Sequence, residues 1–339
     1  MLRECPNQDA VRIREIDWRQ TFPLLRLIEG ARIAFSLQTM VPLIALMGLW
    51  MIGRRQLEAP MVTVADPWEM LPPIIVDTGW WVFAVAEWFD RLLLGSPAVA
   101  SPLPLHACVY PVLLNLTVLS LAALMTGRIT ALQVCRGQRG GMLRSSLFAL
   151  THFRRMAASL VILLLVLCVS GAGLSMARWV ATASWLEPIR ILVLPVLWMS
   201  GFVVVAAWLT IGLAVGLVPA GIAVDHCHAA DAVSRSLNYV LSHRAWTVIS
   251  LLAAVACQRV FLLVITWLFR LVADIAWHGG IDSTEPRTMI TPAEFGELLI
   301  QVITGAVQMG LTFSTLTIIY LLLRQKEDGV RFTEMEIGP

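Results

Sequence analysis

Apolar residues along this chain come in unbroken blocks, not in the alternation of a half-buried strand. Six blocks stand out, at Ile33–Ile52, Leu105–Thr126, Ala157–Ala177, Ile189–Val224, Ala245–Trp277 and Leu298–Leu323. Each reaches the roughly 20 residues a helix needs to cross about 30 Å of hydrocarbon. A transmembrane barrel would show alternating segments of about 10 residues, and the sequence has no such dyad. Helices are then the remaining spanning structure. The pattern predicts an all-α polytopic transmembrane bundle of about six spans, near 33–52, 105–126, 157–177, 198–224, 247–275 and 298–323. A cytoplasmic amphipathic segment, 1–32, is expected before them and a cytoplasmic tail, 324–339, after them.

The fourth block is too long for one crossing, since its 36 residues at about 1.5 Å each would measure about 54 Å. Pro195 removes a backbone donor and Gly201 is a poor helix former, which predicts a kink or break between them and a short outer helix leading into the span. Beyond it, Gly212, Gly216 and Ala220 recur every four residues and should let another helix approach closely. Three further stretches read as interfacial amphipathic helices. One lies within Gly53–Pro104, where Trp80, Trp81, Phe83, Trp88 and Phe89 mix with Asp77, Glu87 and Asp90. The others are Ile13–Ala31 and the stretch from Ala232 to Ser242, with Ala232, Val233, Leu237, Tyr239, Val240 and Leu241 opposite Ser234, Arg235, Asn238 and Ser242.

Composition agrees with the blocks. The 339 residues are 58% hydrophobic and 14% charged, against about 45–50% and about 25% in globular chains. The net charge of +2 says little, but the positions of the arginines say more. Segment Gly127–Met156 carries Arg128, Arg136, Arg139, Arg144, Arg154 and Arg155 and no acid. The first 32 residues hold six more arginines, whereas Gly53–Pro104 has three basic residues against six acids and Ile281–Phe295 one against three. Basic residues near span ends are retained in the cytoplasm, so six spans with both termini inside satisfy every segment. The first 30 residues show no apolar run or cleavage site of a signal peptide, so the first span is expected to direct insertion.

Candidate chemistry is sparse. The six cysteines have no CxxC spacing, which indicates neither a disulfide framework nor a zinc ribbon. Asp225, His226, Cys227, His228 and Asp231 are metal-capable but crowd one short segment with no closing partner, so a helix cap at a span exit is the expected role and no metal or cofactor is expected. Arg235 follows on the polar face of the next helix. Arg259 lies near the middle of an apolar block, where a charge costs about 2.5–3.5 kcal/mol on insertion scales. It is expected either to snorkel to the inner interface, the span sliding toward Val260–Trp277, or to serve function directly. Gln38, Asn115, Gln301 and Gln308 suit hydrogen bonds between helices. No HExxH, GxSxG, Walker A or DxD sequence is present, and only Asp274 and Glu297 place carboxylates in or at the edge of a span, which weighs against an enzyme or a pump.

Three stretches, Asp17–Leu49, Thr126–Gly140 and Asp225–Trp246, together resemble an uncharacterised family of polytopic membrane proteins best represented among planctomycete bacteria. The last also resembles, distantly, the membrane domain beside some glycerophosphodiester phosphodiesterases. The family pattern has a second acid where His228 stands here and an Arg-Pro where His243, Arg244 and Ala245 stand. The resemblance implies architecture, a bacterial cytoplasmic (inner) membrane and no catalytic residues. The expected function is that of a structural or accessory membrane component with membrane lipids and other membrane proteins as partners and no nucleic acid. A permease for a small anionic solute is the alternative.

The arginine pattern makes a topological prediction. A thiol probe that cannot cross the membrane should label cysteines introduced near Ala65 and Ser283 from outside and fail near Gln138. The reverse pattern would end the six-span arrangement.

Overall fold

The computed structural model of the chain describes residues 26–57, 105–138, 140–182, 190–277 and 292–329. The surface helix expected within Gly53–Pro104, the rest of 1–32 and most of the tail lie outside these residues. Among the described residues there are helices and no strands. They are α1 (Arg26–Ala34), α2 (Leu37–Leu57), α3 (Leu105–Arg136), α4 (Met142–Thr182), α5 (Arg190–Asp225), α6 (Ala229–Ser242), α7 (Arg244–Trp277) and α8 (Pro292–Asp328). Five of these are long and apolar enough to cross a membrane, or six if α1 and α2 count as one bent span. The chain is an all-α, multi-pass membrane protein.

Helices α8 and α3 form the centre. Across their apolar windows 83% and 72% of residues are buried, against 28% for α4, 22% for α5 and 17% for α7. The outer helices turn large apolar side chains outward, among them Phe202 and Leu209 on α5 and Leu252, Leu263 and Trp267 on α7. Lipid is the medium that accommodates such faces.

With lipid on both sides of the balance, helices hold together through close packing and a few hydrogen bonds. Small residues on α8 serve the first. Gly310 sits so near Ala34 that a Cβ there would come within 3.3 Å of its methyl, and a Cβ on Gly30 of α1 would come within 3.1 Å of Ile318. Ser314 Oγ donates to the Gly30 carbonyl (2.9 Å) across that contact. Of the four-residue repeat on α5, Gly216 faces Leu316 of α8 and Ala220 is buried, whereas Gly212 has no neighbour within 4 Å. Buried polar pairs serve the second need. Trp50 Nε1 donates to Asn115 Oδ1 (2.6 Å), joining α2 to α3, and Gln258 Nε2 donates to Thr312 Oγ1 (2.6 Å), joining α7 to α8.

Helix α3 runs on to Arg136 and α4 starts at Met142, so most of Gly127–Met156 is helix, and helix continuity departs from the hydropathy reading in two further places. The first predicted span is broken: α1 meets α2 at 61°. Ser36 precedes the new helix, its backbone carbonyl accepting from the Thr39 amide (2.9 Å) while the Ser36 and Thr39 hydroxyls lie 3.0 Å apart, a local polar arrangement that an apolar average does not register. In the fourth block no break separates an outer helix from the span, since α5 runs from Arg190 through Pro195 and Gly201 to Asp225 as one helix. Pro195 is exposed there, and its missing donor removes one backbone bond without interrupting the helix.

The Trp50–Asn115 bond yields a prediction. Trp50→Phe keeps the ring and removes the donor to a 3% exposed Asn115. It should lower stability by about 0.6–1.7 kcal/mol, read as an earlier thermal midpoint in detergent, with insertion unchanged. No shift would show the bond to be dispensable.

Candidate functional site

Five helices bring polar side chains to one end of the bundle, around the short link between α5 and α6. Helix α5 ends at Asp225, and His226 follows in the left-handed region (φ 52°), its amide donating to the Ile222 carbonyl (3.1 Å). That is the geometry of a residue just past a helix C-terminus, usually Gly or Asn. Histidine is among the other residues found there.

Asp225 is the hub. Its side chain is 5% exposed and forms an ion pair with Arg324 of α8, itself 18% exposed. Tyr320, one turn earlier on α8, donates its hydroxyl to Asp225 Oδ2 (2.7 Å), and Arg235 of α6 reaches the same oxygen at 3.2 Å. Arg235 is half exposed, so its pairing is screened and weak; the less exposed Arg324 and the buried Tyr320 carry the contact. Around the rim, Arg324 also pairs with Asp328 (3.4 Å) and His243 with Glu327 (2.9 Å).

A second group grips the link from the other side. Arg128 of α3, 7% exposed, donates from Nη1 to the Ala223 carbonyl (3.2 Å) and lies 2.8 Å from His226 Nε2. A guanidinium only donates, so His226 Nε2 accepts and the ring is the neutral tautomer protonated on Nδ1. Arg155 of α4 donates to the His226 carbonyl (2.7 Å), and Ser159 to that of Ala229 (3.3 Å). The Arg128 guanidinium also sits 4.9 Å above the Phe148 ring, on which His152 stacks at 4.1 Å. The first two of these donors occupy carbonyls at and just past the end of α5, where the helix supplies no further amides, and Ser159 ties the first residue of α6 to α4.

The residues expected from sequence separate here. Asp225 and Arg235 meet. Asp231 and His228 are exposed at the start of α6, where His228 is the N-cap without a side-chain bond and Asp231 supplies an acid to the first turn. Asp225 therefore caps no helix; its carboxylate is drawn toward the two cations and the phenol instead. Burial, then the nearby Asp225 charge, pushes the Cys227 thiol above its ordinary range, which makes it a poor nucleophile and a poor metal ligand at neutral pH. Helix α6 lays Ala232, Val233, Tyr239 and Val240 against the bundle, not against lipid.

Arg259 stands apart. It is exposed on the outward face of α7, in line with Leu252, Val255, Leu263 and Trp267. Its neighbour Gln258 bonds Thr312, eight residues before Tyr320 on α8, so Arg259 lies about 12 Å farther along the bundle than the Asp225 cluster. The side chains of Arg128, Arg155, Tyr320 and Arg324 were not singled out from sequence. Tyr320 and Arg324 are spaced one turn apart at the end of the last block, and that i, i+4 pair was the available signal. Comparison of the chain with protein-family models, curated proteins and solved structures finds no match.

Removing the hub charge tests the cluster. Asp225→Asn leaves Arg324 and Arg235 against an amide and should cost about 3–5 kcal/mol, whereas Arg235→Gln should cost under about 1 kcal/mol. Combined with Arg324→Gln, Asp225→Asn should cost less than the two separately, because the partners are coupled. Thermal unfolding in detergent reads all three, and strict additivity would show that Asp225 and Arg324 do not act as a pair.

Proposed function

We propose that this chain is a structural or accessory component of a bacterial cytoplasmic membrane, with both termini inside, and that its arginine-bearing end engages membrane lipids and other membrane proteins. The observation supporting this reading is where the charged groups are spent. Asp225, Arg235, Arg324, Arg128 and Arg155 are joined to one another or to the α5–α6 link, and hold helices together at one end. Arg259 points outward from α7. Charges used this way organise a bundle and its surface. The resemblance to the planctomycete membrane family fits the same reading, since it implies architecture and no catalytic residues.

A second reading has one observation in its favour. The 61° break between α1 and α2 resembles the discontinuous helices that form substrate sites in transporters. A permease for a small anionic solute would use it with Arg259 as the attracting charge.

Affinity purification in mild detergent, followed by mass spectrometry of co-purifying proteins and lipids, addresses the first reading directly. Arg259 separates the two. In the accessory reading, Arg259→Lys should fold normally and change stability by less than about 0.5 kcal/mol, because lysine extends along the same outward face. Uptake of an anionic solute by vesicles containing the native chain, abolished by Arg259→Lys in a folded protein, would favour the permease.

A further inference from the structure

The first half of α4 carries exposed charge. Arg144 and Arg154 are exposed, and neither meets a carboxylate among the described residues. Between and beside them Leu143, Leu147 and Leu150 are 72%, 61% and 61% exposed. Leu143, Leu147, Leu150 and Arg154 follow the helical repeat, so they form one outward stripe, with Arg144 at its edge.

The stripe lies at the end of the bundle. Ser146 Oγ reaches Met125 Sδ (3.5 Å), and Arg155 bonds the His226 carbonyl (2.7 Å). Gly127, two residues beyond Met125, packs on Ala223, three residues before His226. Ser146–Arg155 of α4 is thus tied to the same end of the bundle as the α5–α6 link. The non-helical link at 226–228 belongs where water and head groups reach peptide groups, since lipid hydrocarbon does not accommodate them.

We propose that this exposed face of α4 binds anionic phospholipid, deepening the accessory reading on which it rests. Leu143, Leu147 and Leu150 contact acyl chains while the Arg144 and Arg154 guanidiniums each hold a lipid phosphate through charge-assisted hydrogen bonds. Segment 127–156 has no acid to compete for those arginines or to repel the lipid.

The test uses the whole chain in mild detergent, with phosphatidylglycerol or phosphatidylcholine added at equal concentration and the thermal midpoint measured. Phosphatidylglycerol should raise the midpoint by several degrees more than phosphatidylcholine. Arg144→Gln combined with Arg154→Gln should match the native midpoint in phosphatidylcholine and lose that increment. If the double variant does not fold, each single replacement should lose part of it. Equal shifts with both lipids, an increment retained in the variants, or the same rise produced by inorganic phosphate alone would overturn the proposal. A lipid-indifferent chain that still co-purifies with protein partners would end this inference and leave the accessory reading standing.

Discussion

A carboxylate at the end of a membrane helix, with 5% of its side chain exposed, has to be neutralised where it stands, and much of this fold follows from how Asp225 achieves that. Withdrawing a carboxylate from water costs several kcal/mol, returned only by good partners. Those partners are Arg324 and Tyr320 on α8 and, more weakly, Arg235 on α6. The ion requires α8 to lie against α5 in one register and α6 to fold back over it. Such a pair is better evidence for a specified arrangement than for great stability.

The same region solves a second problem, the carbonyls left over where α5 stops. Arg128 and Arg155 take those of Ala223 and His226 from two further helices. Arginine suits this task because its guanidinium carries several donors in a fixed fork and keeps its charge. Four helices, α3, α4, α6 and α8, consequently converge on the end of α5. Away from that end the bundle relies on glycine and alanine contacts along α8 and on isolated polar pairs such as Trp50 with Asn115, which is what membrane packing without a hydrophobic drive between helices favours.

The long apolar blocks, the helical class and the concentration of arginine on certain segments were legible from sequence because each is a local property. Hydropathy sums over neighbouring residues, and a lipid environment leaves helices as the way to satisfy such a run. The usefulness of Asn115 as a link between helices was legible for the same reason, since an amide in a span needs a partner. The break at Ser36 was less so: it involves one hydroxyl pair and one backbone bond inside a window that still averages apolar.

What sequence determined by itself was that the chain crosses a membrane as helices and where its charge gathers. What tertiary structure decided was which charges meet. Asp225 and Tyr320 are 95 positions apart, and Arg128 and His226 98. No local pattern ties such residues together, because an ion pair across helices depends on which faces pack and at what height. Packing likewise sent Arg259 outward and left Gly212 uncovered while Gly216 met Leu316. Burial by a distant helix, not residue type, assigned each its role.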